Sequence, residues 1–242
     1  MKYNNKSLQG FSIVELAIVL LVVSLLIGGL IASTRGFVEN SRVARAKSEL
    51  QHIREAIIGY AISSPNRRLP CPAEVICSAG RLALTAAGGI EQNPGGANCG
   101  ANPENVWGYV PFQTLGTPDR DPWGNYYVYR IDDNYGSTIE LNTDSLIDIR
   151  DSANVGFNVV ARDVAAVIYS VGPNAGANPS TDEAENFNIA CAGGISATIR
   201  NEILVSKALV PAGAAQPEFD DIVHWISPYL IKARIAQAGL FK

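Results

Sequence analysis

From Leu16 to Thr34 the chain carries nineteen residues without a charged side chain, and twelve of the residues between Leu16 and Ile31 are Leu, Ile or Val. Wound into a helix, that run rises about 28 Å, close to the hydrocarbon thickness of a bilayer. The sequence therefore predicts one membrane-competent helix near its start, followed by about 200 mostly polar residues with no second spanning segment. Only 17% of the residues are charged although an ordinary 47% are apolar, and none of the charged ones lies in this run. This composition excludes a disordered chain, a collagen-like chain and a coiled-coil rod. A net charge of −4 argues against a nucleic-acid binder, which needs a basic stripe, and no nucleic-acid partner is expected.

The start departs from an ordinary secretory signal. Lys2 and Lys6 supply a basic region and residues 1–10 hold no acid, but the apolar run is too long for a signal core and no A-x-A cleavage site follows it. The odd residue is Glu15, at the head of the run. A carboxylate at the centre of a spanning helix costs about 3 kcal/mol, which aliphatic residues at about −0.5 kcal/mol each offset. Insertion tolerates Glu15 without requiring it, and a charge so placed calls for a partner.

Gly10-Phe11-Ser12-Ile13-Val14-Glu15 followed by the apolar run resembles the type IV prepilin signature, shared by pilins of type IV pili, pseudopilins of type II secretion and competence pilins. The resemblance implies that a prepilin peptidase cuts between Gly10 and Phe11 and methylates the new amino group of Phe11. Residues 1–10 are then a leader, 11–34 a transmembrane and filament-core helix, 35–62 its amphipathic continuation and 63–242 a globular head. It further implies an inner-membrane, single-pass protein with its head in the periplasm, later part of a pilus or pseudopilus. Its partners would be other pilin or pseudopilin subunits, the peptidase and an inner-membrane assembly platform. Arg35, Arg42, Arg45, Lys47 and Arg54 after the run would by simple count face the cytoplasm. Long following domains, however, translocate regardless of charge. In a filament core Glu15 would pair with the cationic amino terminus of a neighbouring subunit and set the axial register; pairing with its own amino terminus, about one turn away, is the competing reading. Unlike many major pilins, the run holds no proline. Gly28-Gly29 is its only weak point, and Ser24, Gly28 and Ala32 form either a small-residue packing face or plain filler.

Beyond Arg35, the spacing of Ala46, Leu50, Ile53, Ile57 and Tyr60 gives one apolar stripe, and Ser63-Ser64-Pro65-Asn66 stops the helix. A helix over 11–62 would be about 78 Å long. Residues 67–105, rich in Gly, Ala, Asn and Pro, read as a long loop with one short helix. Strands are expected at 106–112, 125–131, 156–162, 165–171 and 221–226. Residues 196–210 stay ambiguous between strand and helix. Ser227-Pro228 starts a last helix, about 228–238, with Gly239 as its stop. The expected fold is α+β and type IV pilin-like: a long N-terminal helix packed on an antiparallel sheet head of about four strands.

A second resemblance covers the head. Leu69-Pro70-Cys71-Pro72, then Asp121-Pro122-Trp123-Gly124-Asn125 leading to Tyr127 and Tyr129, are similar to a prepilin-like family. The Asp-Pro-Trp-Gly-Asn run is also similar to the major pseudopilin of type II secretion. Ser170-Val171-Gly172 with Asn174, and Asp220-Asp221-Ile222 ahead of Trp225, echo the end of those heads. The likeness to the major pseudopilin implies calcium, with Asn174, Asp182, Glu183, Asp220 and Asp221 as the ligands on offer. The spacing is not an EF-hand, and a solvated acidic loop is the competing reading. A head of 180 residues, larger than that of a major pseudopilin, favours a minor subunit.

The cysteines are Cys71, Cys77, Cys99 and Cys191. With no C-x-x-C pair a structural zinc site is not expected, and an even number outside the cytoplasm suggests disulfides, with three connectivities open. Cys71–Cys99, tying down the Gly-rich stretch, with Cys77–Cys191 is preferred, and free buried thiols are the competing reading. No nucleophile elbow, P-loop, dinucleotide fingerprint or H-E-x-x-H is present. His52 and His224 are the only histidines, the first expected in solvent and the second structural. The sequence thus points to a structural subunit rather than an enzyme. A signal-anchored periplasmic enzyme or binding protein that never polymerises is the alternative.

Overall fold

The computed structural model describes residues 12–78, 81–92, 99, 106–154, 156–174, 180–186, 203–211 and 213–239. Two compact units divide the chain, Met1–Val43 and Ala44–Lys242, and the helix α1, Ile13–Ser63, runs through the boundary.

In the first unit the described side chains of α1 are exposed on every face: Ile13 is 87% accessible, Leu21 61% and Leu25 70%. Glu15 sits in the first turn, where a carboxylate complements the positive end of the helix dipole. Among the described residues, no helix is long and apolar enough to cross a membrane. The described side chains of the apolar run cover Ser12–Leu26, about 22 Å of helix against the roughly 30 Å of a hydrocarbon core. The expected single-pass inner-membrane anchor, and the localisation built on it, are corrected accordingly.

The second unit is α+β. Its part of α1 buries Ala46, Leu50, Ile53, Ile57, Ile58 and Ala61, the expected stripe with Tyr60 half-buried at its margin. Four strands form the main sheet: β3 Trp107–Tyr109, β4 Val128–Ile131, β7 Ala166–Ser170 and β9 Ile222–Ile226. They lie in the order β3-β4-β7-β9, antiparallel throughout. Four of the five expected strands are these. The fifth, within 156–162, is β6, Val159–Ala161, which joins a different sheet with β5, Asp148–Arg150, and β8, Ile203–Val205. That sheet is mixed, β5 pairing antiparallel with β6 and parallel with β8. Residues 67–105 are not simply loop, since they contain the hairpin β1, Val75–Ser78, and β2, Arg81–Leu84. The ambiguous 196–210 yields strand at β8.

Side chains alternate between the faces of β4, which assigns the layers. Val128 belongs to a core cluster with Val75 of β1, Ile149 of β5, Tyr169 of β7 and Leu204 of β8. That face of the main sheet therefore packs on the small sheet and the hairpin. Tyr127, Tyr129 and Ile131 take the opposite face, and Tyr127 donates its hydroxyl proton to Glu49 of α1 at 2.6 Å. The head is three-layered, α1 on one side of the main sheet and the smaller sheet on the other. The short helix α2 spans Phe112–Leu115 and α3 spans Thr181–Asn186. The last helix, α4, is Pro228–Gln237, with proline in its first turn as expected and Gly239 in the left-handed region just past its end. Ser227 takes the N-cap position, but its side chain makes no capping bond.

Candidate functional site

Two places carry the residues singled out in the sequence. The first is the start of α1. Gly10 and Phe11, the expected cleavage and methylation residues, lie outside the described residues. Glu15 is described and exposed, flanked by Val14 and Leu16, which are 66% and 58% accessible. Apolar side chains follow on every face, and only Ser24 turns its hydroxyl back on the helix, donating to the Leu20 carbonyl at 2.7 Å. A helix apolar all round is normally enclosed by other apolar elements. Chemically, this segment can pack against similar helices, with a single carboxylate available for a cation. Of the small-residue face, the side chain of Ser24 is described, while Gly28 and Ala32 lie outside the described side chains.

The second place lies at one end of the main sheet, where three sequence motifs meet. In Asp121-Pro122-Trp123-Gly124-Asn125 the Asp121 carboxylate closes its own turn, accepting from the Trp123 and Asn125 N–H groups at 3.0 and 2.8 Å. Gly124 supplies the positive φ of 93° that the turn requires. The other Asp121 oxygen accepts from the Ser170 hydroxyl at 2.5 Å, and Asn125 donates to the Gly172 carbonyl at 2.7 Å. Gly172 packs so closely on Asp220 that a Cβ there would stand 2.6 Å from the Asp220 side chain. Trp123 is half-buried.

Most of the candidate calcium ligands occupy the same end and make hydrogen bonds there, although Asp220 Oδ1 is buried with no hydrogen-bond partner among the described residues. Asp220 Oδ2 accepts the Asn174 N–H at 3.1 Å, while Glu183 accepts from the Ser180 and Asp220 N–H groups at 2.8 and 2.9 Å. Asp221 accepts from Asn186, whose amide also pairs with both the N–H and C=O of Val205, standing in for a neighbouring strand of β8. Asp182 is bound elsewhere, accepting from the Ala153 N–H, the Ser152 hydroxyl and the Lys207 ammonium. Burial opposes its charge, but Lys207 and these donors prevail and hold its pKa below the usual carboxylate range. Burial pushes Asp220 up to about 7 and Asp221 up to about 8, helped in both by the carboxylate of Glu183. Calcium asks for six to eight oxygens. Among the described residues, no group of three His, Cys, Asp or Glu could hold a metal ion. These polar groups join α3 to β8 and β9.

Of the two expected disulfides, Cys71–Cys99 is present, with Cα atoms 5.4 Å apart. Cys77 falls in β1, but its side chain and Cys191 lie outside the described residues. Beside the disulfide is a feature that sequence reading missed. Arg68 and Glu91 form an ion pair with both side chains 1% accessible. Glu91 also accepts the Cys71 N–H at 2.8 Å and the Tyr60 hydroxyl of α1 at 2.5 Å. The neighbouring Leu69-Pro70-Cys71-Pro72 motif is the one sequence signal that marks this spot. His52 is exposed, whereas His224 is half-buried on β9. No family model matches the chain, and neither does any curated protein or solved structure.

Proposed function

We propose that the chain is a structural subunit, of minor-subunit type, in a filament of the type IV pilus or type II secretion pseudopilus kind, with a pilin-like fold. A prepilin peptidase removes residues 1–10, Phe11 becomes the methylated amino terminus, and the subunit assembles through α1 with other pilin-like subunits on an assembly platform. The role is mechanical rather than catalytic. One observation carries the reading: Glu15 lies at the start of a helix whose apolar side chains from Ile13 to Leu26 are accessible on every face. Such a surface calls for other helices around it, and a carboxylate among them calls for a cation, which a neighbour's Phe11 amino group supplies.

Co-expression with a prepilin peptidase, followed by mass measurement of the amino terminus, tests the reading. The expected product starts at N-methyl-Phe11 and recovers in filaments with other subunits, and Glu15→Ala lowers its incorporation. An intact Met1 or Lys2 start on a protein that never associates overturns it.

A further inference from the structure

Among the described residues the main sheet ends on β9, and an outermost strand presents backbone N–H and C=O groups along its outer edge. Val223 and Trp225 pack with the cluster on the face turned to the small sheet. His224 points the other way, where burial first, then Arg54 and Lys47 of α1, hold its pKa below the ordinary value. A cleft of about 320 Å³ is lined by Arg54, Val223, His224, Trp225 and Ser227. Because His224 and Trp225 project to opposite faces, a cleft touched by both opens along the strand edge.

The lining chemistry is one-sided: a guanidinium, an imidazole, an indole and a hydroxyl, with no carboxylate among them. The Nε atom of Arg54 is buried and has no hydrogen-bond partner among the described residues. Arg54 nonetheless brings a fixed positive charge to the cleft wall, and an incoming carboxylate complements it. The Ser227 hydroxyl is not engaged in capping α4.

We propose that this cleft receives an extended, acidic segment of a partner polypeptide, which lies beside β9 as an added strand and sets a carboxylate on Arg54. Strand addition draws its affinity from main-chain hydrogen bonds and its selectivity from flanking side chains; here the flanking charge selects an acid. A second copy of this chain fits poorly. Two β9 edges paired about a two-fold axis would bring the Arg54 guanidinium of each copy to one seam with no carboxylate among the described lining residues, and like charges across an interface are unfavourable. All the lining residues belong to the second unit, so the inference stands independently of the filament reading.

The test uses the full chain and a short fluorescein-labelled peptide of alternating valine and threonine around one central glutamate, with glutamine and lysine counterparts. Fluorescence anisotropy should show saturable binding of the glutamate peptide, about fivefold or more weaker binding of the glutamine peptide and the weakest binding of the lysine peptide. Arg54→Gln should reduce the glutamate peptide to the affinity of the glutamine peptide while leaving the latter unchanged. If Arg54→Gln melts early, Arg54→Lys serves instead, keeping the charge without the planar fork, with an intermediate loss expected. With only two histidines in the chain, NMR can follow His224 against His52, and the glutamate peptide should raise the titration midpoint of His224 alone. Equal affinity for the three peptides, no binding, or indifference to Arg54→Gln overturns the proposal. So does the same His224 response to inorganic phosphate without any peptide binding, which marks a free-anion site, or dimerisation through β9.

Discussion

The two units of the chain treat apolar residues in opposite ways. In Met1–Val43 the described leucines, isoleucines and valines of α1 are largely accessible, whereas in Ala44–Lys242 the same helix buries Leu50, Ile53 and Ile57 completely. The difference is one of patterning. The second stretch restricts its apolar residues to one stripe, edged by Glu49 and Arg54, and gives the rest of its surface to residues such as Lys47, Gln51, His52 and Glu55, so a single sheet face can satisfy it. The first has no polar side to turn outward. One sequence thus encodes a unit with a buried core and a segment whose described apolar side chains are accessible.

The contrast can be broken most forcefully inside the second unit. Glu91→Ala leaves the Arg68 guanidinium buried without its carboxylate, and removing one partner of a buried pair costs about 3–5 kcal/mol. Urea denaturation should show this loss, with the accessibility of residues 13–26 to chemical labelling unchanged. Replacing Cys71 and Cys99 by serine releases a loop of 28 residues, and the chain-entropy model assigns such a closure about 3.5 kcal/mol. The reduced wild type should approach the same urea midpoint.

A third, smaller effect depends on pH. Asp220 and Asp221 bind a proton more tightly in the folded chain, at about 7 and about 8, than at the unfolded value of 3.8. Their stabilising contribution is therefore whole below that unfolded value and is lost as pH rises through the folded values. The melting temperature should fall by a few degrees between about pH 6 and pH 8.5, and Asp221→Asn should flatten the upper part of that fall. The least effect on stability is expected from Leu20→Lys, a 58% exposed position in the first unit. It should leave the melting of the head within about 0.5 kcal/mol and yet lower the fraction recovered in assemblies by sedimentation. A head destabilised by Leu20→Lys would show that the two units are not separable in this way.

What could be read beforehand follows the same division between local and distant causes. The strands at Trp107–Tyr109, Val128–Ile131, Ala166–Ser170 and Ile222–Ile226 announce themselves through β-branched and aromatic residues, and α4 through Ser227-Pro228 and Gly239. Which strands share a sheet is not a local property. Val159–Ala161 has the composition of a main-sheet strand, but its register with Ile149 puts it in the other sheet. The hairpin of Val75–Ser78 and Arg81–Leu84 was hidden in a Gly- and Ala-rich stretch, although the two runs are separated by only Ala79-Gly80, a length that favours hairpins. At the candidate sites, the Cys71–Cys99 pairing was legible, whereas Glu91 was not. Nothing around it in the sequence marks it as the partner of Arg68, because only the fold brings them together. The acidic residues near Asp220 were legible as a group, but their role depends on the N–H groups that meet them, which no composition reveals.

The pairing of β5 with β8 and of β7 with β9 carries a kinetic consequence. Each joins strands some fifty residues apart, and the two closures overlap along the chain, so neither sheet can finish before the segment both closures enclose has been gathered in. Non-local pairing of this kind slows folding towards the millisecond-to-second range. A ribosome-bound chain that has released β5 and β7 but not their later partners would display two unsatisfied strand edges at once, which makes that interval the one in which a chaperone has most to do.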